Sequence, residues 1–458
     1  MPYKNEVAHH QTISDFVSDP SVRESLKGFS RLEMHKRKYN PVFQRINAHV
    51  SPSNFIPDHV VAIDGSNLEI SLDQEWNLES MCPMPIASIT MNMEKYRSLT
   101  KELSPRLQDL ESCVNIEVKQ FTFAGRNIVL NGEDCSASSF RKSLYEQLEG
   151  HRIFPFSETL LDTYEALLEH KDKDPNSKCP ILNCLCPDKK FDPKNGLNKC
   201  ACKHQYNIYS TDALGLHKRI NYSGPNGDSK TQVMRIIEHL ILVNYIRSFE
   251  KTDCLDLINK FAFIVDGLLA VFQEANWLSK AIQIELARIN ELVKSKTGKD
   301  MLIFGVEKSG QFVDHLSSLD SNEYDLPGKL SPQTTLLLDD SYIKNNITFS
   351  SGPLPYGTQH YFGRKFFRKT ASGNLFVVSV PFYTDYQRNI TIAEVDQFPR
   401  LPDVLSLLDE LESSCYHHAL VPISIAHSKA SLPSGMGQKI FSKFFNDNIK
   451  NHSGISDN

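Results

Sequence analysis

Two runs of apolar residues end in the same way: VVAIDGS places Asp64 after a buried-looking segment, and FAFIVDG places Asp266 after another. A carboxylate directly after such a run sits at the rim of a sheet, where ligands of α/β proteins gather. The glycine after each aspartate lets the chain turn and lets a ligand approach closely. If the two strands are neighbours, the carboxylates can share divalent cations. Cations held ~3.5–4 Å apart stabilise the attacking and leaving oxygens of phosphoryl transfer. The plain alternative is that Asp-Gly is a common turn dipeptide. A third acid, Glu238, lies in VMRIIEHLILVNYI, with Met234, Ile241 and Leu242 on its face at helical spacing. An unpaired ionised carboxylate there would cost several kcal/mol or take up a proton. Either a metal ion or an Arg or Lys partner offsets that cost. Asp64, Glu238 and Asp266 together form an oxygen donor set suited to Mg or Mn.

Two further polar residues follow apolar runs. MLIFGVEK delivers Lys308, which is either a point charge for a phosphate or a solvated strand-end lysine. VPISIAHSKA delivers His427, which is a proton shuttle, a metal ligand or a satisfied rim histidine.

A separate cluster, CPILNCLCPDKKFDPKNGLNKCACKH, holds Cys179, Cys184, Cys186, Cys200, Cys202 and His204. That is more than the four ligands a tetrahedral zinc requires. Cys179, Cys184, Cys200 and Cys202 are the favoured set; because a C-x-C pair places both sulfurs on one metal less readily than C-x-x-C, C-x4-C with one member of each pair is the other combination. Free thiols and an iron–sulfur cluster are the alternatives. A thiolate shell is closed to water, so the expected role is structural: ordering a loop that has no core of its own.

The elements that must position these residues are legible at low resolution. Val60–Ile63, Ile86–Met93, Ile116–Ile128, Phe261–Val265, Met301–Val306, Thr335–Leu338 and Leu375–Val380 read as strands or buried apolar runs. Helices are expected from Ile13 to about Lys38, over 138–149 and 157–170, from Gln232 to about Ser248, from Trp277 to about Lys294, and near Val404–Leu411. This order predicts an α/β fold with a mixed sheet flanked by helices. The expected layout is an N-terminal helical segment (1–55), one catalytic-type domain (56–445) interrupted by a Cys-rich zinc-binding insertion (171–208), and a disordered tail (446–458).

At 458 residues, the chain is long enough for a large decorated domain or several modules. With 40% hydrophobic and 23% charged residues it is neither collagenous, coiled-coil nor wholly disordered. Apolar stretches of about five residues fall far short of the roughly 20 that span a bilayer. The opening MPYKNEVAHHQTISDF lacks the apolar core of a secretion signal, so no membrane association and a cytoplasmic location are expected. Ten cysteines in such a chain point to metal or free thiols and not to disulfides. A net charge of −5 argues against coating nucleic acid through overall charge, while leaving room for a local basic channel.

Taken in order, VAIDGS, the glutamate of RIIEHLILVNYI, IVDGLLAVF with its following helix, GVEKSG, LLLDD and IAHSKA resemble the motifs of NurA-type nucleases. YSTDALGLHKRI resembles a segment of bacterial members that carry a cysteine-rich insertion. The resemblance spans about residues 60–430 and rests on the ordered series, since no single motif is specific. It implies an RNase H-like core, a homodimer, Mn dependence (or Mg), DNA as substrate and a HerA-type hexameric ATPase as partner. DNA-end processing or defence against phage is the implied setting. Asp64 and Asp266 resemble the family's metal-binding aspartates, Glu238 its helix glutamate, Lys308 its lysine and His427 its late histidine. The family has a tyrosine eight residues before that histidine, where this chain has Ala419. Either Tyr416, three residues earlier, fills that role from a shifted register, or the role is absent. The alternative to an active nuclease is a catalytically weak or inactive assembly subunit of the motor complex. An enzyme of the same fold that joins or nicks specific DNA structures is a third reading.

Overall fold

The computed structural model describes residues 10–29, 47–48, 50–72, 79–100, 107–172, 179–181, 184, 195–200, 202, 205–221, 224–320, 330–413, 416–433 and 435–449. The chain divides into two units, Met1–Arg45 and Ile46–Asn458. In the smaller one, two helices, His10–Ser18 and Pro20–Leu26, stand where the sequence suggests a single helix. Pro20 has no N–H to continue the first, and the Asp19 side chain caps the second by accepting from Ser21 N–H. Residues 30–38 of the expected helix lie outside the described residues. Ser53 N–H donates to Pro402 O (3.0 Å), so the segment expected to run to residue 55 already belongs to the larger unit there.

Among the described residues, twelve strands follow in chain order: β1 (Asn47–Ala48), β2 (His59–Gly65), β3 (Ile70–Ser71), β4 (Ser80–Asn92), β5 (Val114–Ala124), β6 (Leu197–Lys199), β7 (Asn207–Tyr209), β8 (Phe261–Asp266), β9 (Leu302–Glu307), β10 (Thr335–Leu337), β11 (Gly363–Lys369) and β12 (Leu375–Pro381). All but β6 and β7 form one sheet. Its heart is β5-β4-β2-β8-β9: β4 runs antiparallel to β5 and β2, while β8 and β9 run parallel to β2. This order and direction of five strands, with a long helix between the third and the fourth in sequence, is the RNase H-like arrangement. Antiparallel strands β12, β11, β10 and β1 extend the sheet beyond β9.

Parallel strands need crossover helices, and these cover the sheet, so β2 and β8 are apolar on both faces. Val61, Ile63, Phe263 and Val265 pack under the helices Gly227–Lys251 and Trp277–Thr297 through Ile237, Ile241, Ile282 and Ile289. Val60, Ala62, Ile264 and Phe304 face the helices Leu401–Leu411 and Val421–Ala430 through Leu405, Leu408, Ile425 and Ala426. At roughly 1.5–3 kcal/mol for each fully buried aliphatic side chain, these two layers are the main force that holds the strand ends in register.

Strand β11 is absent from the sequence reading, and its composition explains why. GRKFFRK carries four cations, yet all seven residues are buried. Each charge has found a partner: Arg364 donates to Gln387 O and Ile392 O, Lys365 pairs with Glu307, Arg368 with Asp409, and Lys369 with Asp320. The C-terminus also differs from expectation. A helix Met436–Asn448 buries Phe445 against Ile70 and Leu72, so residues 446–448 are helical. No helix among the described residues is long and apolar enough to cross a membrane.

Candidate metal centre

Asp64 and Asp266 occupy the C-terminal ends of neighbouring parallel strands. Ile63 is in register with Val265, so the two aspartates follow side by side on one face. The chain leaves β8 through Gly267 at φ +107°, a backbone state that an L side chain rarely adopts. Gly65 has a different task. A Cβ there would lie 2.8 Å from Glu238 Oε1 and 2.9 Å from Met234 Cγ, so only glycine lets the helix carboxylate come up against the strand. Glu238 is completely buried and accepts from Gly65 N–H.

His427 arrives from the opposite face of the sheet. Its helix starts with Pro422 in the first turn, where a missing N–H costs nothing, and carries the histidine in its last turn. His427 Nδ1 lies 2.9 Å from Asp64 Oδ2. Lys308, just past β9, places Nζ 2.8 Å from Asp266 Oδ2 and 3.8 Å from Asp64 Oδ2. Donor atoms of Asp64, Asp266 and His427 all lie within 4.8 Å of one another. All five residues proposed from the sequence therefore converge at one end of β2 and β8, with Glu238 behind the other acids.

The electrostatics are those of crowded acids. Burial pushes the Asp64 carboxyl up to about 8, the Asp266 charge adds to the rise, and Lys308 opposes it. Glu238 is raised well above the usual carboxylate range, first by burial and then by the charges of Asp64 and Asp266. Acids this close cannot all ionise without a counter-charge. Oxygen donors with one imidazole fit a hard divalent cation, Mg or Mn.

The sign of the pH dependence follows. An acid raised in the folded state stabilises the cation-free fold fully below its unfolded value of 3.8, and that contribution is lost as pH rises towards about 8. Cation binding must expel the proton below that point. Mn affinity is expected to rise between pH 6 and pH 8 by up to about tenfold per unit, read by calorimetric titration. Affinity that stays level over this range would mean that no proton is displaced.

Arg235 escaped the sequence reading. It lies one helical turn before Glu238, is exposed, and forms no salt bridge among the described residues. Burial raises Glu238, Tyr361 and Glu307, and the Arg235 charge opposes the rise in each. The RIIE spacing, which puts residues i and i+3 on one helix face, was the available signal. Tyr416, the suggested stand-in for the tyrosine missing at Ala419, is 54% exposed and hydrogen-bonds to none of the five site residues.

The cysteine cluster lies beside the hairpin β6–β7, which presents Cys200 as its first strand ends. Cys200 Sγ is 3.3 Å from Cys184 Sγ and 3.6 Å from Cys179 Sγ. A tetrahedral site with Zn–S bonds of about 2.3 Å has S···S edges of about 3.8 Å, close to this spacing. Burial pushes the Cys179 thiol up to about 12. Cys202 is buried against Cys200, but its sulfur does not join the trio. Cys186 and His204 lie outside the described residues. None of the eight described cysteines forms a disulfide.

No protein-family model matches the chain, and no curated protein matches it. Among solved structures, the NurA nuclease from Sulfolobus solfataricus is similar over 97% of this chain and 99% of that one, with 8% identity and a TM-score of 0.37. A second NurA crystal structure is similar over the same shares, with 8% identity and a TM-score of 0.32.

Proposed function

We infer that this protein is a divalent-cation-dependent deoxyribonuclease that hydrolyses phosphodiester bonds. The observation that supports this most is the convergence of Asp64 and Asp266, side by side on β2 and β8, with His427, Lys308 and the buried Glu238. Mn or Mg bound by Asp64, Asp266 and His427, with Glu238 behind, would supply Lewis-acid polarisation of the phosphate and an activated water. Lys308, held by Asp266, carries the positive charge that meets a non-bridging phosphate oxygen. His427 would offer that cation Nδ1, which lies 2.9 Å from Asp64 Oδ2, and keep Nε2 to take or give a proton. From the motif resemblance, the working form is a homodimer that receives DNA from a HerA-type hexameric ATPase, in end processing or phage defence. The test is cleavage of labelled linear single- and double-stranded DNA with Mn, with chelator, and with the ATPase added. Silence under all conditions would favour the assembly-subunit reading.

Cys179, Cys184 and Cys200 are proposed to hold a structural zinc, with Cys202 as the favoured fourth ligand. Cys200→Ser is expected to lower zinc content from about one per chain to near zero and to expose the insertion to protease, because such sites supply the local folding energy. Mn-dependent cleavage should persist. A folded, dimeric, zinc-free variant with no cleavage at all would contradict a purely structural role.

A further inference from the structure

A cavity of about 250 Å³ lies beside the start of β11, walled by Tyr356, Tyr361, Arg364, Lys365, Asp385 and Arg388. It is at the small end of ligand pockets, sized for one compact molecule and not for a duplex. We propose that it receives the terminal nucleoside monophosphate of a nucleic-acid strand whose next phosphate lies at the carboxylate centre. This rests on the nuclease reading above.

Three links tie the cavity wall to that centre. Lys365 Nζ is 2.8 Å from Glu307 Oε1, and Glu307 directly precedes Lys308. Tyr361 bridges to Ala270, four residues beyond Asp266. His239, next to Glu238, places Nε2 3.1 Å from the same Ala270 carbonyl. Arg235 sits electrostatically between the two, because its charge acts on both Glu238 and Tyr361.

The lining chemistry selects the ligand. Tyr356 and Tyr361 are joined hydroxyl to hydroxyl (2.7 Å), with ring centroids 5.3 Å apart, and offer aromatic faces for a base. Arg364 and Arg388 oppose the single lining acid Asp385, while Lys365 is paired with Glu307, which leaves one net positive charge suited to a phosphate. Arg364 is 3% exposed and its Nε has no hydrogen-bond partner, a buried donor that an incoming anion would satisfy. Arg388 is half-buried and, among the described residues, donates at 3.3 Å to the exposed Thr358 O, so it can turn to a ligand at little cost. A larger groove of about 600 Å³, between Phe154, Tyr245 and Phe261, lies at the other end of β2 and β8, away from the acids.

The test compares wild type with Arg388→Glu and Arg388→Lys. Deoxyadenosine monophosphate, titrated calorimetrically in chelator, should bind the wild type at least about tenfold more tightly than inorganic phosphate and more than about tenfold more tightly than it binds Arg388→Glu, the worth of one charge-assisted contact. Arg388→Lys should be intermediate. With Mn, Arg388→Glu should lower the ratio of linear to circular single-strand cleavage by about tenfold, which separates a strand end from a free nucleotide as the ligand. No nucleotide binding by folded wild type, equal binding of phosphate, or unchanged affinity in Arg388→Glu would overturn the pocket. Nucleotide binding with an unchanged ratio would overturn the strand-end assignment. If wild type binds the nucleotide but cuts no DNA, the nuclease reading fails and the pocket stands as a free-nucleotide site.

Discussion

Asp266→Ala is expected to lower Mn-dependent cleavage of linear DNA by about 10³-fold or more, equivalent to about 4 kcal/mol of transition-state stabilisation. The size follows from the geometry. Asp266 is one of three residues whose donor atoms lie within 4.8 Å of each other, and it is the closer anchor of Lys308. On the proposed reading, one substitution removes a cation ligand and frees the Lys308 ammonium to collapse onto Asp64, already 3.8 Å away. The fold should not suffer. Asp266 ends its strand with a partly exposed side chain, and its loss relieves the repulsion that raises Asp64 and Glu238. Wild type and variant are compared side by side on labelled DNA, with circular dichroism as the control for folding. Residual cleavage within tenfold of wild type and resistant to chelator would remove this site from the chemistry.

Glu238→Gln should move stability and activity in opposite directions. Glutamine keeps the length of the side chain and the acceptor for Gly65 N–H, but it cannot ionise. In the cation-free protein the buried acid is raised by desolvation and by two neighbouring aspartates, so holding it near neutral pH works against the fold. The gain should therefore be about 1 kcal/mol or more at pH 8 and vanish near pH 4, where the acid is already neutral in folded and unfolded chains alike. Cleavage should fall about 10²-fold, since a neutral amide is a weaker cation ligand. Thermal melts in chelator at both pH values, run beside the cleavage assay, read both effects. Equal melting at the two pH values with full cleavage would make Glu238 a structural acid only.

The acids were legible because each stands where its type is out of keeping with its neighbours. Aspartates close apolar strands, and Glu238 interrupts a helix that is apolar on nearly all sides. The mixed sheet and its flanking helices followed from the same apolar runs, while the strand order did not. What stayed hidden was whatever depends on pairing across the chain. β11 reads as a charged loop until Glu307, Asp409 and Asp320 neutralise it. Arg235 gains meaning only once Tyr361 and Glu307 are brought beside it. The Cys cluster was plain as a cluster, but spacing alone did not reveal that Cys202 stands apart from the trio.

Asp64 and His427 touch across 363 positions of chain, and the acids between them come from 238 and 266. A ribosome releases the chain from the N-terminus, so the first aspartate emerges long before the helix that completes its surroundings. Until Val421–Ala430 has left the exit tunnel and packed on β2 and β4, the growing polypeptide holds unsupported acids and no assembled centre. On the nuclease reading, this order of synthesis keeps the growing chain from cutting DNA until the helix that carries His427 has been made, and a product truncated before residue 427 would lack the assembled centre.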